Sequence, residues 1–182
     1  MNFTKAVKDA WQIVKLDQHA IKRIAHEKDA LANGLLITIL AGIAAALGTF
    51  MLPGIIFIPI TYLIGSFIGF GILHLIAKAF GGKSNFKKFF AVGLHTSILG
   101  WVMIVPFLGM FLGFIAKIWG IIAMYFVIKN VHELSSGKSI LVLLIPILIS
   151  IIIAAIVAAI LAATFFSMFG GNLPWISNMR LF

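Results

Sequence analysis

His74 to Lys88 reads H-L-I-A-K-A-F-G-G-K-S-N-F-K-K, and Ile128 to Ser139 reads I-K-N-V-H-E-L-S-S-G-K-S. Each is a short basic turn with apolar sequence on both sides. Between Asn33 and the C-terminal tail the charges gather at these two turns, and Lys117 stands alone. A hydrocarbon layer of ~30 Å needs ~20 helical residues, so apolar stretches of about that length between lysine-bearing turns describe a chain that threads a bilayer repeatedly. The fold class that follows is all-α, a polytopic membrane bundle.

Composition points the same way. With 62% hydrophobic and 10% charged residues and a mean hydropathy of +1.15, the chain has too little polar side chain to cover a water-soluble globule. The formal net charge of +9 does not indicate nucleic acid, because the basic residues sit at the ends of apolar spans rather than in one stripe interleaved with aromatics. Anionic lipid headgroups are the expected counter-charge. The absence of cysteine excludes disulfides, thiolate metal sites and cysteine nucleophiles.

Working outward from the turns, five spans are expected, at about 35–52, 55–80, 86–105, 109–128 and 140–169, giving a transmembrane domain over 33–169. Asn33-Gly34 is read as a break before the first span, and Pro53-Gly54 as the turn after it. Pro59 falls in the first turn of the second, and Gly65-x-x-x-Gly69 in its middle. The last is long enough to cross with tilt or to bend near Pro146. A short tail, 170–182, carries Trp175, Arg180 and Phe182.

Residues 1–32 are not a cleavable signal, since Lys5, Lys8, Asp9, Lys15 and Asp17 interrupt any apolar core. Phe3, Val7, Ala10, Trp11 and Val14 recur at helical spacing on one face, opposite or beside Lys5, Lys8 and Lys15. Asp17 is placed to cap a second short helix carrying Ile21, Ile24 and Ala25 against Lys22, Arg23 and Lys28. Both are expected to be short amphipathic helices on the cytoplasmic membrane surface. The lysines and arginines lie before the first span and at the two basic turns, with only Arg180 opposite. The positive-inside rule then sets the N-terminus inside and the C-terminus outside.

Two motifs invite chemistry and fail on spacing. Gly82-Lys83-Ser84 and Gly137-Lys138-Ser139 resemble the end of a phosphate-binding loop, but that loop needs a glycine where Ala77 and His132 stand. Glycine ending one helix, lysine reaching headgroups and serine capping the next helix explain them better. His26-Glu27 and His132-Glu133 are candidates for a pH-sensitive or metal-binding cluster at the membrane surface, yet no H-E-x-x-H occurs. No metal, cofactor or catalytic set is expected.

Lys117 is the sharper anomaly, because a lysine near the middle of a span costs ~3 kcal/mol on insertion scales. It borders a small-residue stripe of Gly109, Gly113, Ala116 and Gly120, so it is expected to face other helices, with His95, Thr96 and Ser97 at a similar depth and Tyr62 near. Lys117, His95, Thr96, Ser97 and Tyr62 are thus a candidate intramembrane polar site. The alternatives are a structural hydrogen-bond node or a lysine that snorkels outward. The spans hold no carboxylate, so an acidic proton relay is excluded.

In the Leu16 to Ala25 run L-D-Q-H-A-I-K-R-I-A and in the two turn segments quoted above, the chain resembles the Yip-domain (Ypt/Rab-interacting protein) family of multi-pass membrane proteins, in its prokaryotic branch. The resemblance covers nearly the whole length and implies five helices with a cytoplasmic N-terminus. In the eukaryotic branch it implies Rab-type GTPases and vesicle traffic, but that branch's acidic D-L-Y-G-P type motif is absent here. The family supplies no catalytic residue to carry over.

The expected function is that of a non-enzymatic integral membrane protein of a prokaryotic plasma membrane. It organises lipids and partner proteins, as a homo- or hetero-oligomer with other membrane proteins and without nucleic acid. Its candidate cytoplasmic-face contacts are Trp11, Lys15, Lys22, Arg23, Lys83, Lys87, Lys88, His132, Glu133 and Lys138. The alternative is a small transporter or channel subunit whose pathway passes Lys117 and His95.

Overall fold

The computed structural model describes residues 2–169, and every regular element among them is helical. In order these are α1 (Phe3–Val14), α2 (Gln18–Ile24), α3 (Ala30–Gly48), α4 (Gly54–Ala79), α5 (Phe86–Leu94) with a 3-10 segment (His95–Ile104), α6 (Leu108–His132) and α7 (Ser136–Phe169). Four of them, α3, α4, α6 and α7, are long and apolar enough to cross a membrane. Trp175, Arg180 and Phe182 lie outside the described residues.

The third expected span is not a uniform α-helix. Nine α residues are followed by ten in the tighter 3-10 form. At ~1.5 Å and ~2.0 Å per residue respectively, the two pieces together reach about 34 Å, which still matches a bilayer core. The start of α3 also departs from expectation. Asn33 and Gly34 do not break the chain; they lie inside the helix and are buried. Gly34 is there because a Cβ would stand 2.8 Å from both the Ala91 carbonyl oxygen and Leu94 Cβ.

The chain forms two compact units, Met1–Leu143 and Leu144–Phe182. In the first, α3 is central: it lies against the 3-10 segment, α4, α5 and α1. Thr38, fully buried on α3, hydrogen-bonds to the Leu94 carbonyl (3.2 Å) and to Ser97 Oγ (3.1 Å), and Trp101 Nε1 donates to the Ile37 carbonyl (3.2 Å). One core cluster gathers Ile13, Ile21, Ile24, Phe89, Val92, Val127, Ile128 and Val142 from α1, α2, α5, α6 and the start of α7. The outer faces of α4 and α6 stay apolar and exposed, at Ile56, Phe57, Ile64 and Phe67 and at Phe111, Phe114, Ile115 and Ile118. Apolar area on that scale fits lipid rather than water as the surrounding medium.

The rest of α7 makes up the described part of the second unit and is apolar on every face. Its hydroxyls bond back to its own backbone, Ser150 to Pro146 (2.7 Å) and Thr164 to Ile160 (2.9 Å). That satisfies hydroxyl donors that lipid could not.

Candidate functional site

The two basic turns come together in space. Glu133, in the left-handed conformation (φ 54°), ends α6, and the Lys83 amide donates to the His132 carbonyl (3.0 Å). Lys83 Nζ pairs with Glu133 Oε2 at 2.9 Å, and Lys138 Nζ donates to the Phe80 carbonyl at 3.0 Å. The Lys83 hydrogen bond and charge hold the Glu133 carboxyl below the usual carboxylate range, helped by Lys22 and His26. The C-terminal end of α2 therefore belongs to the same end of this unit.

Beneath the turns, His132 is fully buried and its Nε2 stands 3.3 Å from His74 Nδ1. The Phe89 ring lies 4.8 Å from His132 and 6.1 Å from His74, centroid to centroid. Gly82 makes this possible: a Cβ there would sit 2.7 Å from His132 Nδ1 and 2.8 Å from the Ala77 carbonyl oxygen. The cap of α5 is Asn85, whose side chain accepts from the Lys88 amide (2.9 Å); Ser84 bonds only to the Asn85 carbonyl. Lys87 is exposed and Lys88 partly so. Lys22, Lys83 and Lys138 thus meet at this seam, and Lys87 and Lys88 follow it in the first turn of α5.

A second cluster fastens the N-terminus. Ala6, Ala10 and Ile13 of α1 are fully buried, and Asp9 between them is 2% exposed. Ala10 accordingly faces the protein rather than sharing an outward stripe, whereas Phe3 and Trp11 remain exposed, with Lys15 Nζ 5.6 Å from the Trp11 ring centre. Arg23 donates to Asp9 Oδ1 and Gln12 Oε1, both at 2.8 Å, and also pairs with Glu27, which Lys5 meets from the other side. Asp17 caps α2 by accepting from the amides of His19 and Ala20.

Burial pushes the Glu27 carboxyl up, but the Lys5 hydrogen bond and the Arg23 charge outweigh it and hold the group below its usual 4.5. A carboxyl depressed in the folded state contributes stability that is complete above its ordinary value and lost as pH falls through the lowered one. Docking of α1 is therefore expected to be constant from pH 8 to 5 and to loosen below about pH 4.5. Distances between nitroxides at Lys8 and Lys87 would show this, and Glu27→Gln should remove the acid step.

The group proposed around Lys117 is dispersed. His95 is fully buried and bonds through Nδ1 to the Ala91 carbonyl (2.8 Å), Thr96 to the Gly93 carbonyl (2.7 Å), and Ser97 to Thr38. Tyr62 lies near Gly100, half-buried, on α4. Lys117 is exposed and makes no hydrogen bond or ion pair among the described residues. Nor do His26 and His132 join: His26 Nδ1 meets the Lys22 carbonyl (2.9 Å), and no group of three metal-ligating side chains occurs among the described residues.

Sequence reasoning did not single out Asp9 or His74. Asp9 sits at helical spacing among Ala6, Ala10 and Ile13, a signal that it shares their face. His74 carried none, since its partner lies 58 positions away.

A family model for the Yip1 domain matches residues 13–158. No curated protein and no solved structure matches the chain.

Proposed function

From a chain that belongs to the Yip1-domain family, a multi-pass integral membrane protein, we propose a non-enzymatic organiser of its membrane. It has five spans and a cytoplasmic N-terminus, and it gathers anionic lipid and partner proteins at its basic end. The observation that carries this reading is the joining of the two lysine turns at one end, with Lys83 and Lys138 each bound across the seam. Their shared position supports placing both on one leaflet, and the positive-inside rule supports the cytoplasmic one, in a prokaryotic plasma membrane as the resemblance to that branch implies. The ~34 Å reach of α5 with its 3-10 extension supports counting it as a span.

The lipid contacts are electrostatic. Each lysine near an anionic surface contributes about 1 kcal/mol, or about fivefold in affinity, and the effect fades within a Debye length. Phe3 and Trp11, exposed on docked α1, suit the headgroup boundary beside them. Polar groups of the third span turn inward onto α3, which favours a packing role for them over a transport path.

Native mass spectrometry of the protein with phosphatidylglycerol and with phosphatidylcholine tests this. The triple variant Lys83→Gln, Lys87→Gln, Lys88→Gln should lose at least tenfold in phosphatidylglycerol affinity while phosphatidylcholine binding stays unchanged. Equal binding of both lipids by the parent protein would overturn the reading.

A further inference from the structure

His74 lies in one of the two turn segments and His132 in the other, 58 positions apart, and the fold brings their ring centres to 5.0 Å. His132 is fully buried, and its Nδ1 is closed off against the backbone of Gly82, where a Cβ would stand 2.7 Å from it. Nε2 is left to act, and it stands 3.3 Å from His74 Nδ1. That is long for an N–H···N bond, whose usual length is about 2.9–3.0 Å. It matches the spacing of two nitrogens on one tetrahedral metal ion: each ~2.0 Å from the ion, they stand about 3.3 Å apart and their ring centres about 5 Å apart. A head-on hydrogen bond of the observed length would hold the centres about 5.6 Å apart. The shorter separation means that the rings bend off the line between the nitrogens, as rings do when both face one ion.

The two donors are held in place by the fold itself. His74 sits on α4 and His132 ends α6, while Phe89 of α5 packs against both rings and Phe86 lies 5.5 Å from His74. The Lys83 amide fixes the His132 carbonyl. Rings locked by packing on helices keep a ligand geometry that loops do not. Both donors are imidazole nitrogens, and no third ligating side chain joins them among the described residues. Such a pair prefers Zn2+, Cu2+ or Ni2+ to Mg2+ or Ca2+, which take oxygen ligands. It leaves two tetrahedral positions to water or an anion. The charge of Lys78 acts on both rings and favours an anion there.

We propose that His74 Nδ1 and His132 Nε2 are the protein ligands of a divalent transition-metal site. The ion ties α4 to α6 directly beneath the basic turns. This goes beyond the organising role above and does not rest on it.

The test uses the full chain without a histidine tag, in detergent at about pH 7.5, where the imidazoles are neutral and free to ligate. Dialysis against Zn2+ should load one ion per chain, and excess Mg2+ should not displace it. His74→Phe, a change at a partly exposed ring, should weaken Zn2+ binding at least tenfold. His19→Gln with His26→Gln, which removes two exposed histidines, should leave the affinity within twofold. Cu2+ loaded in place of Zn2+ should show spin coupling to two imidazoles in the parent and to one in His74→Phe, so the test does not hang on whether a His132 variant folds. No Zn2+ bound by the parent, or equal affinity in the parent and in His74→Phe, would overturn the proposal. So would loss of binding in the His19, His26 variant, because surface rings would then hold the ion. Phosphatidylglycerol affinity at the basic turns is measured with a chelator present, so the two readings fail separately.

Discussion

Replacing Arg23 with alanine is expected to destabilise the folded chain by about 3 kcal/mol and to release α1 from the bundle. Asp9 is 2% exposed and its Oδ2 already lacks a hydrogen-bond partner, so its burial depends on the guanidinium at Oδ1. Without that cation the buried carboxylate is left uncompensated, and returning it to water pulls Ala6, Ala10 and Ile13 out with it. Arg23 is about half exposed, which places the effect at the low end of the ~3–5 kcal/mol seen when one partner of a buried pair is removed.

The conservative changes separate the causes. Arg23→Lys keeps a charge but cannot reach Asp9, Gln12 and Glu27 together, so an intermediate loss is expected. Adding Asp9→Asn to Arg23→Ala should recover much of the stability, since no buried charge is left uncompensated. Unfolding in mixed micelles and the Lys8 to Lys87 nitroxide distance report the two aspects. An Arg23→Ala protein within ~0.5 kcal/mol of the parent, an ordinary result for surface substitutions, would show that the docking does not rest on this pair.

The other large effect is expected at Gly48. A Cβ there would lie 1.7 Å from the Met103 carbonyl oxygen, and at Gly109 it would lie 2.7 Å from the same atom. The end of the 3-10 segment is thus wedged between α3 and α6 where both have shed their side chains. A backbone carbonyl cannot swing aside as a side-chain tip does. Gly48→Ala should therefore displace the segment and cost about 3 kcal/mol, at the top of the range for overpacking. Gly65→Ala, with nothing within 4 Å of the added atom, should stay within ~0.5 kcal/mol. If both variants melt at the same temperature, the close approach of α3, α6 and the 3-10 segment is wrong.

Much of the fold was legible because its causes are local. Pro53-Gly54 and the Gly81-Gly82 turn each separate apolar stretches whose length matches a bilayer, and Asp17 marks the start of α2 by the bonding power of its own side chain; α7 begins at Ser136, a few residues before the expected 140, so that Gly137, Lys138 and Ser139 lie in its first turn. The departures came where a distant contact overrode a local preference. Asn33-Gly34 looks like a break, but α5 packs against that glycine and keeps the helix whole. His95 to Ile104 reads as ordinary apolar helix, and nothing in its spacing distinguishes an α from a 3-10 winding.

The sites divide along the same line. Lys83 and Lys138 were visible as basic turns, whereas their joining through His132, Glu133 and Phe80 was not, because the bonds link residues about 50 or more positions apart. Asp9 and Arg23 looked like ordinary surface charges until docking of α1 buried one of them. Lys117 was expected to turn inward to His95 and Ser97, which instead serve α3.

Alone, the sequence determined the solvent of this protein and its all-helical class, because transfer from water to lipid is a sum over residues that needs no knowledge of their neighbours. The tertiary structure decided which polar groups meet. Pairing is a property of two positions at once, and only the packed helices bring Lys83 to Glu133 and Arg23 to Asp9.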